Sequence, residues 1–212
     1  DVLPKVIVAS EATFIIADNR YSVFAICQCA VHESWTQDLQ SSLETRGRYT
    51  PSDCFETFPF PKGLLEKGMV EYPELEDVGE RYHAHRCRIM QEHSQGLTKT
   101  YHRFHNPKDL TADIAELRRL HAEMDQTVAS AYGWTDLDLG HGFHETKQGL
   151  RYTVSPSTRQ EILDRLLELN HQRYAEEVAA GLHEKKGKNQ RTVKPKEKAF
   201  CPGVDMFSEI PE

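Results

Sequence analysis

Three wide apolar stripes at helical spacing limit what this chain can fold into more than any other feature. In the first, Leu75, Val78, Tyr82, His85 and Ile89 recur after Pro73. The second carries Ile114, Leu117, Leu120, Met124, Val128 and Ala131; the third carries Ile162, Leu166, Leu169, Tyr174 and Val178, widened by Leu163 and Leu167. Side chains three and four residues apart share one helical face, so each run predicts a helix, and stripes this wide belong to packed bundles. End signals agree. Glu74, Glu76 and Asp77 fall where a helix dipole favours acids, Thr111 or Asp109 can cap the second helix, and Ser155 precedes Pro156 at a first helical position. Gly96, Gly133 and Gly181 predict the stops. A fourth run, Tyr21 to Asp38, places Phe24, Cys27, Val31 and Trp35 on one face of a single helix. His32 lies beside that face and reads as a hydrogen-bonded structural residue rather than a ligand. Before it, Lys5 to Ser10 and Thr13 to Ala17 read as two short strands, and Leu150 to Val154 as a short strand inside a long polar loop.

With 38% hydrophobic and 28% charged residues, the 212-residue chain has the composition of a globular protein of one large or two small domains. No apolar run approaches the roughly 20 residues that span a bilayer, so no membrane association is expected. The five cysteines, Cys27, Cys29, Cys54, Cys87 and Cys201, form no Cys-x-x-Cys pair and suit a reduced cytoplasmic setting. Formal charge is −7, but residues 184–198 hold seven basic and two acidic side chains, leaving 19 basic against 31 acidic elsewhere. The body is therefore acidic, and any nucleic-acid contact must be a local positive patch. The lysine-rich tail has too little apolar surface to fold, so disorder is expected from His183 onward.

Residues 41–61 concentrate the recognition chemistry. Arg46 and Arg48 flank Gly47 among Ser41, Ser42, Thr45, Tyr49, Thr50 and Ser52, and an aromatic-proline block follows with Phe55, Phe58 and Phe60. Arginine can grip a guanine edge with two hydrogen bonds, hydroxyls more often bond phosphate, and the phenylalanines are anchors. Arg46 or Arg48 would lie nearest the bases because Gly47 lets the backbone approach. Pairing with Glu44, Asp53 or Glu56 to hold the loop is the equal alternative. By residue types alone an ordinary surface loop fits as well.

The run Ser41 to Pro61 resembles the segment that ends the target-recognition region of large single-chain adenine-N6 DNA methyltransferases, the type IIG and IIL restriction–modification enzymes and related phage-defence methylases. The resemblance continues through Gly96 to His105, Glu116 to Asp125, Ala131 to Trp134, Gly142 to Gly149 and Leu166 to Glu177, covering most of residues 30–182. It implies site-specific modification of double-stranded DNA in a bacterial or archaeal cytoplasm, with DNA contacts at Ser41, Ser42, Thr45, Arg46, Arg48, Tyr49, Thr50 and Ser52. Neither a glycine-rich S-adenosylmethionine loop nor an Asp/Asn-Pro-Pro-aromatic tetrapeptide occurs in the chain; Asn106-Pro107-Lys108 is the nearest approach. The chain is therefore read as a carboxy-terminal piece, with an upstream methyltransferase domain binding S-adenosylmethionine in the parent polypeptide and no catalytic, cofactor or metal residues expected in this part.

Other constellations weigh less. His141 and His144, with His102 and His105, lack the second ligand pair at fixed spacing that a zinc site needs. Asp136 or Asp138 with Glu145 and Lys147 has the outline of a nuclease core, but Glu145 and Lys147 read better as a loop salt bridge or a DNA-facing polar pair. Lys99, His102, Arg103 and Lys108 form a second basic patch that reads as a solvated helix end. The expected fold is α+β: a small, partly β recognition subdomain over residues 1–61, a linker over 62–73, a helical bundle over 74–182, and a disordered basic tail over 183–212. The functional expectation is DNA recognition and clamping for an upstream methyltransferase. The alternative is a helical protein-interaction module that docks a partner subunit without DNA contact, which the acidic body favours.

Overall fold

The computed structural model describes residues 14–39, 49–65 and 71–182. In chain order the elements are α1 (Tyr21–Gln28), α2 (Ala30–Leu39), α3 (Pro51–Cys54), α4 (Pro73–Glu92), α5 (Leu97–Phe104), α6 (Ala112–Ala131), β1 (Gly142–Thr146), β2 (Gly149–Thr153) and α7 (Pro156–Ala179). The described fold is mostly helical with one small antiparallel sheet, as the apolar stripes require. Its centre is the pair α4 and α6. Leu75, Val78, Tyr82 and Ile89 of α4 meet Ile114, Leu117, Met124 and Val128 of α6 in one buried cluster. Each aliphatic side chain withdrawn from water there contributes roughly 1.5–3 kcal/mol, so this seam dominates the stabilisation.

Around it α1 lies along α4, and α2 is held between α6 and α7. The expected single helix from Tyr21 to Asp38 is broken at Cys29, whose backbone is extended at φ −78°, ψ 161°. The cause is tertiary: Asp125 of α6 accepts the Ala30 amide at 2.8 Å and so starts a second helix. Helix α1 begins in the same way, with both carboxylate oxygens of Glu76 accepting the Tyr21 and Ser22 amides at 2.8 and 2.7 Å. Acids borrowed from the central pair thus replace the local caps that α1 and α2 lack. Gly79 of α4 makes this arrangement possible, because a Cβ there would sit 2.4 Å from the Tyr21 carbonyl oxygen.

Three further expectations are corrected. The α4 helix ends at Glu92, where Ser94 turns the chain at φ 48°, and Gly96 instead precedes α5. Residues 14–17 form no strand; Phe14, Ile15 and Ile16 are 46%, 70% and 44% exposed, and no described strand runs beside them to supply ladder hydrogen bonds. The expected strand Lys5 to Ser10 lies outside the described residues, as do 66–70 of the linker and the tail from 183. Finally, α7 is core only in its first half, where Ile162, Leu163 and Leu166 are buried; Leu167, Tyr174 and Val178 are exposed.

The sheet is a hairpin. Gly142, Phe143, His144, Glu145 and Thr146 pair with Thr153, Tyr152, Arg151, Leu150 and Gly149, leaving Lys147-Gln148 as a two-residue tip. The expected strand over 150–154 is thus β2. Gly149 adopts φ +90°, which closes this turn. Among the described residues no helix is long and apolar enough to cross a membrane, and the four thiols are free.

Candidate nucleic-acid interface

Residues 40–48, and with them Ser41, Ser42, Thr45, Arg46 and Arg48, lie outside the described residues; the described residues on both sides of them are held by other elements. On the entry side, Trp35 of α2 donates its indole N–H to Thr57 Oγ1 at 3.3 Å, and Gln37 accepts a hydrogen bond from Arg159 of α7. On the exit side, the Tyr49 hydroxyl lies 3.2 Å from His32 Nε2 and its ring packs 6.3 Å from Phe14. Burial pushes the Tyr49 phenol up to about 12 and holds the His32 imidazole down at about 4. Tyr49 is half-buried against these partners, so the structure gives it an anchoring contact besides any DNA contact. Thr50 precedes α3, and its carbonyl accepts the Asp53 and Cys54 amides. Ser52 is exposed, with its hydroxyl 3.2 Å from Asp53 Oδ1.

The aromatic-proline block is an anchor, as its composition predicts. Phe58 packs edge-on against His32 at 4.6 Å and Phe60 at 4.9 Å, while Phe55 meets Phe60 at 4.9 Å. Tyr132 at the end of α6 donates its hydroxyl to the Pro59 carbonyl at 3.0 Å, and Asn170 of α7 donates to the Thr57 carbonyl at 2.7 Å. The described residues on both sides of 40–48 are thus tied to α6 and α7.

Two buried polar centres were not singled out from sequence. Arg118 of α6 is 8% exposed and donates to the carbonyls of Phe104, Asp109, Arg103 and Asn106 at 2.8–3.2 Å, closing the end of α5. Its guanidinium also lies 5.0 Å over Phe143 and 5.7 Å over Tyr152, so the hairpin seats on it. Asp125, fully buried, holds His141 Nε2 at 2.8 Å and His121 Nε2 at 3.5 Å besides capping α2. The sequence signal was available in Asp125: a carboxylate between Met124 and Val128 on a buried helical face needs partners.

Three of the four histidines considered as metal ligands are otherwise employed. His141 binds Asp125, His144 Nε2 donates to the Gly140 carbonyl at 3.0 Å, and His105 Nδ1 accepts the Tyr152 amide at 3.2 Å. No group among the described residues could hold a metal ion. The nuclease outline is not assembled: Asp136 pairs with Arg165 at 2.5 Å and Asp138 accepts the Gly140 amide. Glu145 and Lys147 make no ion pair with each other among the described residues. In the second basic patch, Arg103 is committed to Asp109 and Asp113 at 2.9 and 3.0 Å, while Lys99, His102 and Lys108 are exposed.

Comparison with known families adds what geometry alone does not. Residues 1–62 match the MmeI target recognition domain. The match to this domain ends just past the aromatic-proline block, so residues 40–48 fall inside it. It agrees with the C-terminal target-recognition region of type II restriction–modification methylases on which residues 41–61 were read. No curated protein and no solved structure matches the chain.

Proposed function

We propose that this chain is the carboxy-terminal DNA-recognition and clamping part of a site-specific adenine-N6 DNA methyltransferase in a restriction–modification or phage-defence system. The match of residues 1–62 to a target recognition domain carries this reading. The frame around residues 40–48 supports it, since base discrimination needs a loop held in register. In this reading Arg46 or Arg48 lies nearest the bases, and the hydroxyls of Ser41, Ser42, Thr45, Thr50 and Ser52 bond the backbone. The segment from α4 to α7 braces that loop, with residues 62–73 joining the two parts. The transferase domain, its S-adenosylmethionine and the flipped adenine belong to an upstream part of the same cytoplasmic polypeptide.

The test is the double substitution Arg46→Ala/Arg48→Ala in the full-length enzyme. Methylation at the original site should fall with the roughly 1–3 kcal/mol of discrimination that each base-reading arginine supplies. Retained methylation at an unchanged site would remove the loop from recognition. The second reading, a protein-docking helical module, draws on the exposed Leu167, Val178 and Leu182. It predicts no duplex binding by the wild-type polypeptide at any salt concentration.

A further inference from the structure

An open notch of about 400 Å3 lies between the hairpin and the first turns of α7. Gln37, His144, Thr146, Lys147, Arg159 and Glu145 contribute to its walls. Its position follows from chain continuity: Gln37 stands three residues before the loop at 40–48, and its side-chain amide accepts from Arg159. Its arginine differs from four others of the chain. Arg81, Arg103, Arg119 and Arg165 are each neutralised by one or two carboxylates. Arg159 is held by a neutral amide instead, with no carboxylate partner among the described residues. Lys147 stands exposed at the hairpin tip with no carboxylate partner among the described residues. Glu145 is the one carboxylate among the described lining residues.

We propose that this notch seats the phosphodiester backbone of the duplex whose bases residues 40–48 read, with Lys147 and Arg159 as the phosphate contacts. The inference rests on the proposed recognition function and extends it to two residues beyond the matched domain. Cations that grip phosphate set the register of a duplex without carrying sequence information. On a chain with net charge −7, two cations with no carboxylate partner among the described residues create the local inversion of potential that a polyanion needs. Glu145 opposes it, so its neutral variant should bind more tightly.

The experiment measures duplex affinity of the full-length polypeptide against salt concentration for the wild type, Lys147→Gln, and Lys147→Gln/Arg159→Gln. Each phosphate contact removed should lower the slope of log affinity against log salt by about 0.9. The double variant should therefore lose about 0.9 if the cations share a phosphate and about 1.8 if they take one each, with base preference unchanged. Lys147→Gln alters only an exposed tip, so any loss it causes cannot come from misfolding. Glu145→Gln should raise affinity. Wild-type binding with identical slopes in both variants would overturn the notch while leaving the recognition function intact. Absence of wild-type binding would overturn both.

Discussion

Asp125 shows how much one side chain can organise. Its carboxylate, with no exposed surface, accepts the Ala30 amide and pairs with His141, joining residues 95 and 16 positions away in sequence. Deleting this buried acceptor strands its donors, the Ala30 amide and the His141 ring N–H, at about 1–3 kcal/mol. Asp125→Ala should therefore lower unfolding free energy by about that amount and uncouple α2 and the hairpin from α6. Asp125→Asn keeps an acceptor for Ala30 and should cost less. Denaturant titration followed by circular dichroism reads both, and equal stability of Asp125→Ala and wild type would show that the lock is dispensable. This centre was hidden from sequence reading because apolar periodicity has no place for a charged member of a buried face. His141 was noticed for its neighbour His144, yet the two serve different acceptors.

At the level of elements, helices whose signals are local were legible and those shaped by remote contacts were not. Helix α7 starts on Ser155, which accepts the Thr158 amide at 3.1 Å, and α4 starts at Pro73, both as residue types predict. The break at Cys29 was illegible: no glycine or proline marks it, and its cause lies in α6. The packing of α1 on α4 was equally silent, although Gly79 within a buried stripe was the clue. Helix propensity favours alanine over glycine by about 1 kcal/mol, so Gly79→Ala would stabilise an isolated α4. In the folded protein its Cβ would overlap the Tyr21 carbonyl at 2.4 Å, and forcing α1 outward should cost about 1–3 kcal/mol net. Thermal unfolding decides between the two effects: a lowered midpoint is expected, and a raised one would mean that α1 is loosely seated. The anchoring role of Phe58 and Phe60 was legible in composition. The roles of Tyr49 and His32 were only half so, since their contact depends on how α2 and α3 meet.

For the whole molecule, acid should act in two separable windows. His32 is held near 4 by burial, and His105 near 4 by burial and then by the neighbouring Arg151 and Arg118 guanidiniums, both well below the ordinary imidazole value of 6.5. Their unfolded forms bind protons more readily than their folded forms, so stability is fully present above pH 6.5 and is lost as pH falls toward 4. For His32, 3% exposed, a depression of about 2.5 pH units corresponds to roughly 3 kcal/mol. Carboxylates act lower. Burial opposes ionisation of Asp113, but its bonds from Thr111, the Ile114 amide and Arg103 outweigh that and hold it at about 2. The hydrogen bond from Arg165 likewise holds Asp136 at about 2. Stability tied to these two is present above pH 3.8 and disappears as they protonate toward 2. Unfolding free energy measured from pH 7 to pH 2 should therefore fall first between 6.5 and 4 and again below 3.8. His32→Gln keeps a polar partner for the Tyr49 hydroxyl without a group that titrates, and should flatten the first fall by roughly 3 kcal/mol while leaving the second unchanged. Superimposable curves for variant and wild type would mean that His32 takes up its proton inside the folded protein at no cost, and that its seat between Tyr49 and Phe58 is wetter than the packing implies.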